Sequence, residues 1–229
     1  MKVAIMQPYF FPYLGYFQLI AAVDVFVIYD DVNYINRGWV NRNNILANGR
    51  PQPISLALGN RSQNLCINQI DVVDTGVKLL KTLAQSYSKA PQFQRIYPLL
   101  ESVIQYQDKN LGNYLSHLLK VVCAAMGVQT TLLRSSALQK DNTLKGQEKI
   151  LAICKALQAT HYVNAIGGKE LYQTASFLEQ SLALSFLQTR QLVYPQSGHA
   201  FVPNLSIIDV LMFNDLAQCR KLLAEYDLT

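Results

Sequence analysis

Two short apolar segments, residues 2–6 and 25–29, lie on either side of a stretch with room for only a brief helix over 16–22. The second segment is rich in β-branched and aromatic residues, and such segments flanking a helix open a βαβ unit. The unit is shorter than the usual ~30 residues, so its helix must be brief. In a parallel sheet, ligands sit beyond the carboxyl ends of the strands. Met6-Gln7-Pro8-Tyr9-Phe10-Phe11-Pro12-Tyr13-Leu14-Gly15-Tyr16 follows the first strand and Asp30-Asp31 follows the second. Aromatic rings, amides and paired carboxylates therefore crowd one edge.

Downstream, residues 39–46 and 53–58 predict a hairpin around Ala47-Asn48-Gly49-Arg50, because Asn-Gly supplies the positive φ angles of a tight turn. Helices follow over 74–87 and 91–106, with Pro98 expected to kink or split the second. The clearest helix is 110–126, with an aliphatic stripe and Gly127 as its stop. A strand over 130–133 and a helix over 144–157 come next. Residues 162–166 then form a strand entering Gly167-Gly168-Lys169 and a helix to about 178, an arrangement that can cradle an anion on backbone N–H groups. A strand over 183–187 precedes closing helices over 206–214 and 215–226. Ser206 is the expected N-cap of the first, and Asp209 the partner in a capping box, a structural role rather than a catalytic one. The alternation predicts an α/β three-layer sandwich with a mainly parallel, Rossmann-like sheet, a β-hairpin after strand 2 and a helical middle segment. It reads as one domain over 1–229 with a helical insertion at about 74–127.

A chain of 229 residues, half of them hydrophobic, can bury a sizeable core. No apolar run approaches the ~18 residues of a membrane span, and the start lacks the pattern of a signal peptide. The expectation is a cytoplasmic protein without membrane insertion. Cys66, Cys123, Cys154 and Cys219 are scattered, which points to free thiols. His117, His161 and His199 are far apart, and no metal-ligand spacing is visible.

The net charge of +5 is uneven, because residues 32–70 contain Arg37, Arg42, Arg50 and Arg61 but no Asp, Glu or Lys. Guanidinium forks without local carboxylates suit phosphate. The arginines are interspersed with Asn rather than forming a Lys/Arg stripe, so a phosphorylated or nucleotide-linked small molecule is a more natural partner than nucleic acid. With only 15% charged residues, the composition also fits a homo-oligomer. At the predicted edge, Tyr9 or Tyr13 would stack on a base or sugar and Gln7 would hydrogen-bond it. Arg37 and Arg42 would grip phosphates, and Asp30 or Asp31 would hold hydroxyls, a magnesium ion or a proton. Phe10, Phe11 and Phe17 read instead as core.

The stretch from Met6 to Ile20, then Phe26-Val27-Ile28-Tyr29-Asp30-Asp31 and Arg37-Gly38-Trp39-Val40-Asn41-Arg42-Asn43, resembles the start of the WbqC-like family. Tyr194-Pro195-Gln196, Phe201 and Leu205-Ser206-Ile207-Ile208-Asp209 resemble its C-terminal pattern. Members of this bacterial family are commonly encoded among genes for O-antigen and other surface polysaccharides, so the resemblance implies a step on an activated sugar. It marks Gln7, Pro8, Tyr9, Pro12, Gly15, Asp30, Asp31, Arg37, Trp39, Asn41, Arg42 and Asn43 as signature positions, with Gly168, Lys169 and Tyr172 beside them. Tyr13-Leu14-Gly15-Tyr16 is also similar to the His-x-Gly-His signature of nucleotidyltransferases, with both histidines replaced by tyrosine. Tyrosine donates a hydrogen bond but carries no cation near neutral pH.

Three readings follow. The first is a transferase modifying a nucleotide-activated sugar, for example by acyl or aminoacyl transfer to a sugar amine. Asp30 or Asp31 would then be the base, Arg37 and Arg42 would hold the diphosphate, and Gln7, Tyr9, Tyr13, Gly15, Tyr16, Trp39, Asn41, Asn43, Gly167, Gly168, Lys169 and Tyr172 would bind substrate. The second is a nucleotidyltransferase using a nucleoside triphosphate and magnesium. The third is a noncatalytic nucleotide- or sugar-binding assembly protein.

Overall fold

A computed structural model describes residues 1–196, 198 and 200–229; His199 lies outside the described residues. In chain order the elements are β1 (Lys2–Met6), α1 (Leu14–Ala21), β2 (Val25–Ile28), β3 (Arg42–Ala47), β4 (Arg50–Ser55), β5 (Leu58–Gly59), β6 (Asp71–Val72), α2 (Val77–Tyr87), α3 (Phe93–Ile104), α4 (Leu111–Met126), β7 (Thr131–Arg134), α5 (Gly146–Ala156), β8 (His161–Ala165), α6 (Thr174–Glu179), β9 (Ala183–Thr189), α7 (Ile207–Phe213), α8 (Leu216–Ala224) and β10 (Tyr226–Leu228). Six strands form the central sheet in the order β10-β9-β8-β1-β2-β7. All neighbours are parallel except β9 and β10. The chain builds β2 and β7 on one side of β1, then β8 and β9 on the other. The strand order therefore reverses between β1 and β8.

Both faces of the sheet are buried, as parallel sheets require. Ala4, Phe26 and Ile28 belong to the larger core with side chains of α1, α4 and α8. Val3, Ile5 and Val27 point the other way, onto Ile150, Ile153 and Cys154 of α5 and Phe177 of α6. The fold is thus the expected three-layer α/β arrangement. α1 is apolar nearly all round, with every residue from Leu14 to Ile20 buried. Its one amide, Gln18, donates to the carbonyls of Leu222 and Glu225 and accepts from Thr189 Oγ1, so no polar atom is stranded. Among the described residues no helix is long and apolar enough to cross a membrane.

The β3–β4 hairpin turns at Asn48 and Gly49, both at positive φ (51° and 72°), as Asn-Gly predicted. α4 is capped by Asn110, whose side chain accepts from Asn113 N, and stops at Gly127. Its packing against α8 makes it part of the layer covering the sheet.

Of the kink or split expected at Pro98, the split does not occur: α3 runs through it, and Pro98 and Gln94 are both exposed, so the carbonyl that loses its partner can turn to water. Three expectations need correction. After β8 the chain makes a 3-10 turn, Ile166–Leu171, and α6 starts only at Thr174, so the glycine pair does not open an α-helix. The last helix ends at Ala224, and Tyr226–Leu228 pairs with the open edge of β9, with Arg190 bridging Glu225 and Asp227. Asp209 is not in a capping box. Ser206 caps Ile208 N, while the Asp209 carboxylate, fully buried, turns inward and accepts from Tyr87 Oη (3.0 Å), Tyr194 Oη (2.8 Å) and Gln196 Nε2 (2.7 Å).

Burial raises the pKa of Asp209 above the ordinary carboxylate value, although its three donors pull it down. Its contribution to stability is therefore full below the unfolded-state value of 3.8 and is lost as pH rises through the raised folded value. Asp209→Asn cannot ionise. The unfolding free energy of wild type minus that of the variant, from urea titrations at several pH values, should fall as pH climbs above about 3.8.

Candidate functional site

The loop after β1 dives through the core. Pro8, Phe10, Phe11 and Pro12 are buried, and Phe11 adopts φ 42°. Its carbonyls, cut off from water, find partners in two distant segments. Asn43 Nδ2 donates to the carbonyls of Phe10 (3.1 Å) and Phe11 (2.7 Å), Ser206 Oγ to Phe11 (2.8 Å), and Ile207 N to Pro12 (2.9 Å). Phe10 N donates to Trp39 O, and Tyr16 Oη to Gln7 O at 2.9 Å. Phe10, Phe11 and Phe17 are core, and so is Tyr16, 1% exposed, which the sequence had suggested as a substrate contact. Tyr9 and Tyr13 remain half-buried at the surface.

Where the strand order reverses, a cleft of ≈ 810 Å³ opens. Its floor is the end of β1 (Met6, Gln7), the segment Asn164–Gly168 and the end of β9 (Gln188, Thr189); Tyr9, Tyr13 and Trp39 stand on one side, Tyr29, Gln147 and Tyr172 on the other. None of the described lining residues is charged. Gly15 is required by close approach, because a Cβ there would lie 2.5 Å from the Tyr13 ring and 2.6 Å from Thr189 Oγ1. At Gly168 a Cβ would lie 2.3 Å from Asn164 Nδ2. The structure thus brings Gln7, Tyr9, Tyr13, Gly15, Trp39, Gly167, Gly168 and Tyr172 together. Asn43 faces a smaller hollow of ≈ 310 Å³ behind Tyr9 and Tyr13, and Lys169 is exposed on the 3-10 turn.

The paired aspartates lie outside the cleft lining. Asp30 is fully buried, its carboxylate accepting from Ser136 N (2.9 Å) and Ser136 Oγ (2.6 Å), with Arg134 Nη1 at 3.9 Å. Asp31 Oδ2 lies 2.7 Å from Lys140 Nζ and 3.3 Å from Lys149 Nζ. Lys149 also donates to the Asp31 carbonyl and sits 5.2 Å from the centre of the Tyr29 ring. Burial alone would raise the Asp31 pKa; the hydrogen bond from Lys140 and the charges of Lys149 and Lys140 more than offset it, holding the carboxyl below its usual range. The Tyr29 phenol is pushed up by burial and then by the Asp31 charge, so it stays protonated. This set does not fit magnesium: Asp30 is held by Ser136, and although Asp31 Oδ1 is buried without a partner, a divalent cation there would sit beside the two ammonium groups on Oδ2. Lys140, Lys149 and Ser136 escaped sequence reasoning, since no local spacing links them to aspartates more than a hundred residues earlier.

Arg37, Arg42 and Asn41 lie on the far side of the Trp39 loop. Arg42 Nε donates to Gly38 O (2.9 Å) and Nη2 to Arg37 O, while its guanidinium sits 5.7 Å from the Trp39 ring centre. Asn41 accepts from Tyr34 Oη and donates to Leu56 O. None of the three lines the cleft, so the expected single mouth divides into two.

A model of the WbqC-like protein family matches residues 7–221. The chain belongs to the WbqC-like family. The uncharacterized protein Rv1507c of Mycobacterium tuberculosis is 32% identical over 218 residues, covering 93% of each chain. No solved structure matches. The WbqC-like segment begins at Gln7, so it takes in the whole aromatic loop and every cleft residue except Ile5 and Met6.

Asn43→Ala would leave the Phe10 and Phe11 carbonyls without their side-chain donor. It should lower stability by about 2–3 kcal/mol in urea unfolding. Lys149→Met removes one of the two ammonium partners of Asp31; with Lys140 still paired, the loss should stay below the ~3 kcal/mol of a buried charge left alone. The substitution should also raise the Asp31 pKa, read from carboxyl carbon shifts by NMR.

Proposed function

We propose that this WbqC-like protein is a transferase that binds a nucleotide-activated sugar in the switch-point cleft and modifies it, by acyl or aminoacyl transfer to a sugar amine, in surface-polysaccharide synthesis. The observation carrying the reading is the cleft itself: an opening of ≈ 810 Å³ at the topological switch point, walled by tyrosines and a tryptophan and floored by amides and a hydroxyl, with no charge among its described lining. Rings stack on a base or a sugar face, and amides read hydroxyls. The polysaccharide setting comes from the family resemblance.

In the proposed transfer, the sugar amine attacks the donor carbonyl carbon. A C–N bond forms, the bond to the donor's leaving group breaks, and the amine proton leaves with that group or with water. In this reading the protonated phenols of Tyr13 and Tyr29, both in the cleft lining, donate to the carbonyl oxygen as charge develops there. Asp31, Lys140 and Lys149 act behind Tyr29 as positioning groups. Asp30 supports the turn at Ser136 rather than serving as base.

Calorimetry against uridine and thymidine diphosphate sugars tests the reading. One of them should bind, and Tyr13→Ala should weaken it about tenfold, the loss of one stacking contact of ~1–1.5 kcal/mol. Failure of the whole panel would sink it. The uncharged lining also favours a second reading, a binding module without turnover. A nucleotide sugar that binds but is unchanged by any acyl or aminoacyl donor would select that one. Pyrophosphate release from a nucleoside triphosphate and magnesium would instead support nucleotidyl transfer.

A further inference from the structure

We propose that the depression behind the Trp39 loop is a second ligand site, which takes a small molecule bearing a phosphate or diphosphate. It is a hollow of ≈ 870 Å³ between the 36–42 loop, the β4 strand and the start of α2, and it shares no lining residue with the cleft.

Four cations line it: Arg37, Arg42, Arg61 and Lys78. None of them takes part in any ion pair found among the described residues, whereas Arg134, Lys140, Lys149 and Arg190 each have a carboxylate within 4.0 Å. The single carboxylate in the described lining, Asp74, is committed to backbone: its oxygens accept from Gly76 N at 2.8 Å and Ala57 N at 3.2 Å. Like charges gathered around a concavity repel one another, and an anion seated among them relieves that repulsion.

The site is also pre-organised. Arg42 is held by the carbonyls of Gly38 and Arg37 and by the Trp39 ring, so part of its rotamer entropy is already lost before a ligand arrives. Arg37 itself sits at φ 61°, a left-handed conformation unusual for a residue with a side chain. The floor is rigid and polar. Tyr34, 2% exposed, donates to Asn41 Oδ1 at 2.8 Å, and Asn41, 7% exposed, donates to Leu56 O at 3.0 Å. Arg61 and Arg42 line the same hollow as Tyr34, and their charges oppose the effect of burial on its phenol.

The chemistry of the lining selects the ligand. Guanidinium forks match pairs of phosphate oxygens, and three arginines with a lysine exceed what one monoanion needs. Gln52, Ser55 and Thr82 on the rim offer hydrogen bonds to hydroxyls attached to the phosphate. A single nucleic-acid strand would call for exposed stacking rings, and the one ring in this lining, Tyr34, is buried.

The test uses the full chain with inorganic pyrophosphate and tripolyphosphate as probes, read by calorimetry and amide NMR shifts. Both should bind, with shifts at Arg37, Arg61 and Lys78 and an affinity that falls steeply with added salt. The double substitution Arg61→Ala, Lys78→Ala removes two lining side chains with no hydrogen bond found among the described residues. It should weaken binding at least tenfold while leaving the circular dichroism spectrum unchanged. Absence of binding overturns the proposal, as does wild-type affinity in the double variant. Loss of pyrophosphate binding in Tyr13→Ala but not in the double variant would place the anion in the cleft and also overturn it. Tight binding of an oligouridylate that needs Arg61 and Lys78, without binding of either polyphosphate, would assign the patch to nucleic acid instead. Because no residue is shared, failure here leaves the reading of the cleft standing.

Discussion

The carboxamide of Asn43 stands at the centre of the hydrogen bonds that hold the first loop, the hairpin and the C-terminal helices in register. It is buried on β3 and donates to two successive carbonyls of the loop after β1. That loop has little choice of partners, since Pro8 and Pro12 bring no N–H and the carbonyls of Phe10, Phe11 and Pro12 lie out of reach of water. A buried carbonyl left unpaired costs about 1–3 kcal/mol. Asn43 from the hairpin and Ser206 and Ile207 at the start of α7 supply the donors, and so fasten the first strand, the hairpin and the C-terminal helices to one another. An isolated two-stranded hairpin is marginal in water. Fixed in this way, the hairpin sets the height of Trp39, and the loop sets the rings of Tyr9 and Tyr13.

The same logic explains why a signature residue need not touch a ligand. Asn41 and Asn43 entered the expected substrate-binding set as signature positions of the family resemblance. In the fold each is nearly used up: Asn41 bridges Tyr34 and Leu56, and Asn43 serves Phe10, Phe11 and the amide of Asn44. Asp30 is consumed by Ser136 in the same manner. Polar residues next to a cleft divide into those that face it and those that hold its walls, and burial with complete hydrogen bonding marks the second kind.

What was legible in the sequence follows from the range of the interactions involved. Strands β1 and β2, the Asn-Gly hairpin and α4 with its Asn110 and Gly127 ends are written in local periodicity and turn chemistry, and the parallel order predicts Gln7, Tyr9, Tyr13 and Gly167 at one edge. The 3-10 turn after β8 was not legible, because Gly-Gly-Lys is compatible with either helix and the close approach of Gly168 to Asn164 is a tertiary fact. β10 was missed because three residues carry no period, and an open edge of β9 decides their state. The arginines were misplaced for a similar reason. Arg37 and Arg42 flank Trp39 in sequence, but the loop turns so that the ring faces the cleft and the guanidinium groups face away.

That turn gives the cleft a particular electrical character. Its described lining carries no charge, yet two of its rings have a cation nearby: Lys149 Nζ at 5.2 Å from the Tyr29 centroid, and Arg42 Cζ at 5.7 Å from that of Trp39. Each contact falls within the ~6 Å over which a ring quadrupole attracts a cation. Both cations are anchored elsewhere, Lys149 on Asp31 and Arg42 on the Gly38 and Arg37 carbonyls, so the rings are pinned by groups that cannot themselves move into the site. A ligand stacking there meets surfaces whose rotamers are already restricted, which reduces the ordering cost of binding. Such a cleft suits the neutral, ring-shaped part of a molecule, and the strongest anion-binding chemistry of the chain lies one loop away, behind Trp39.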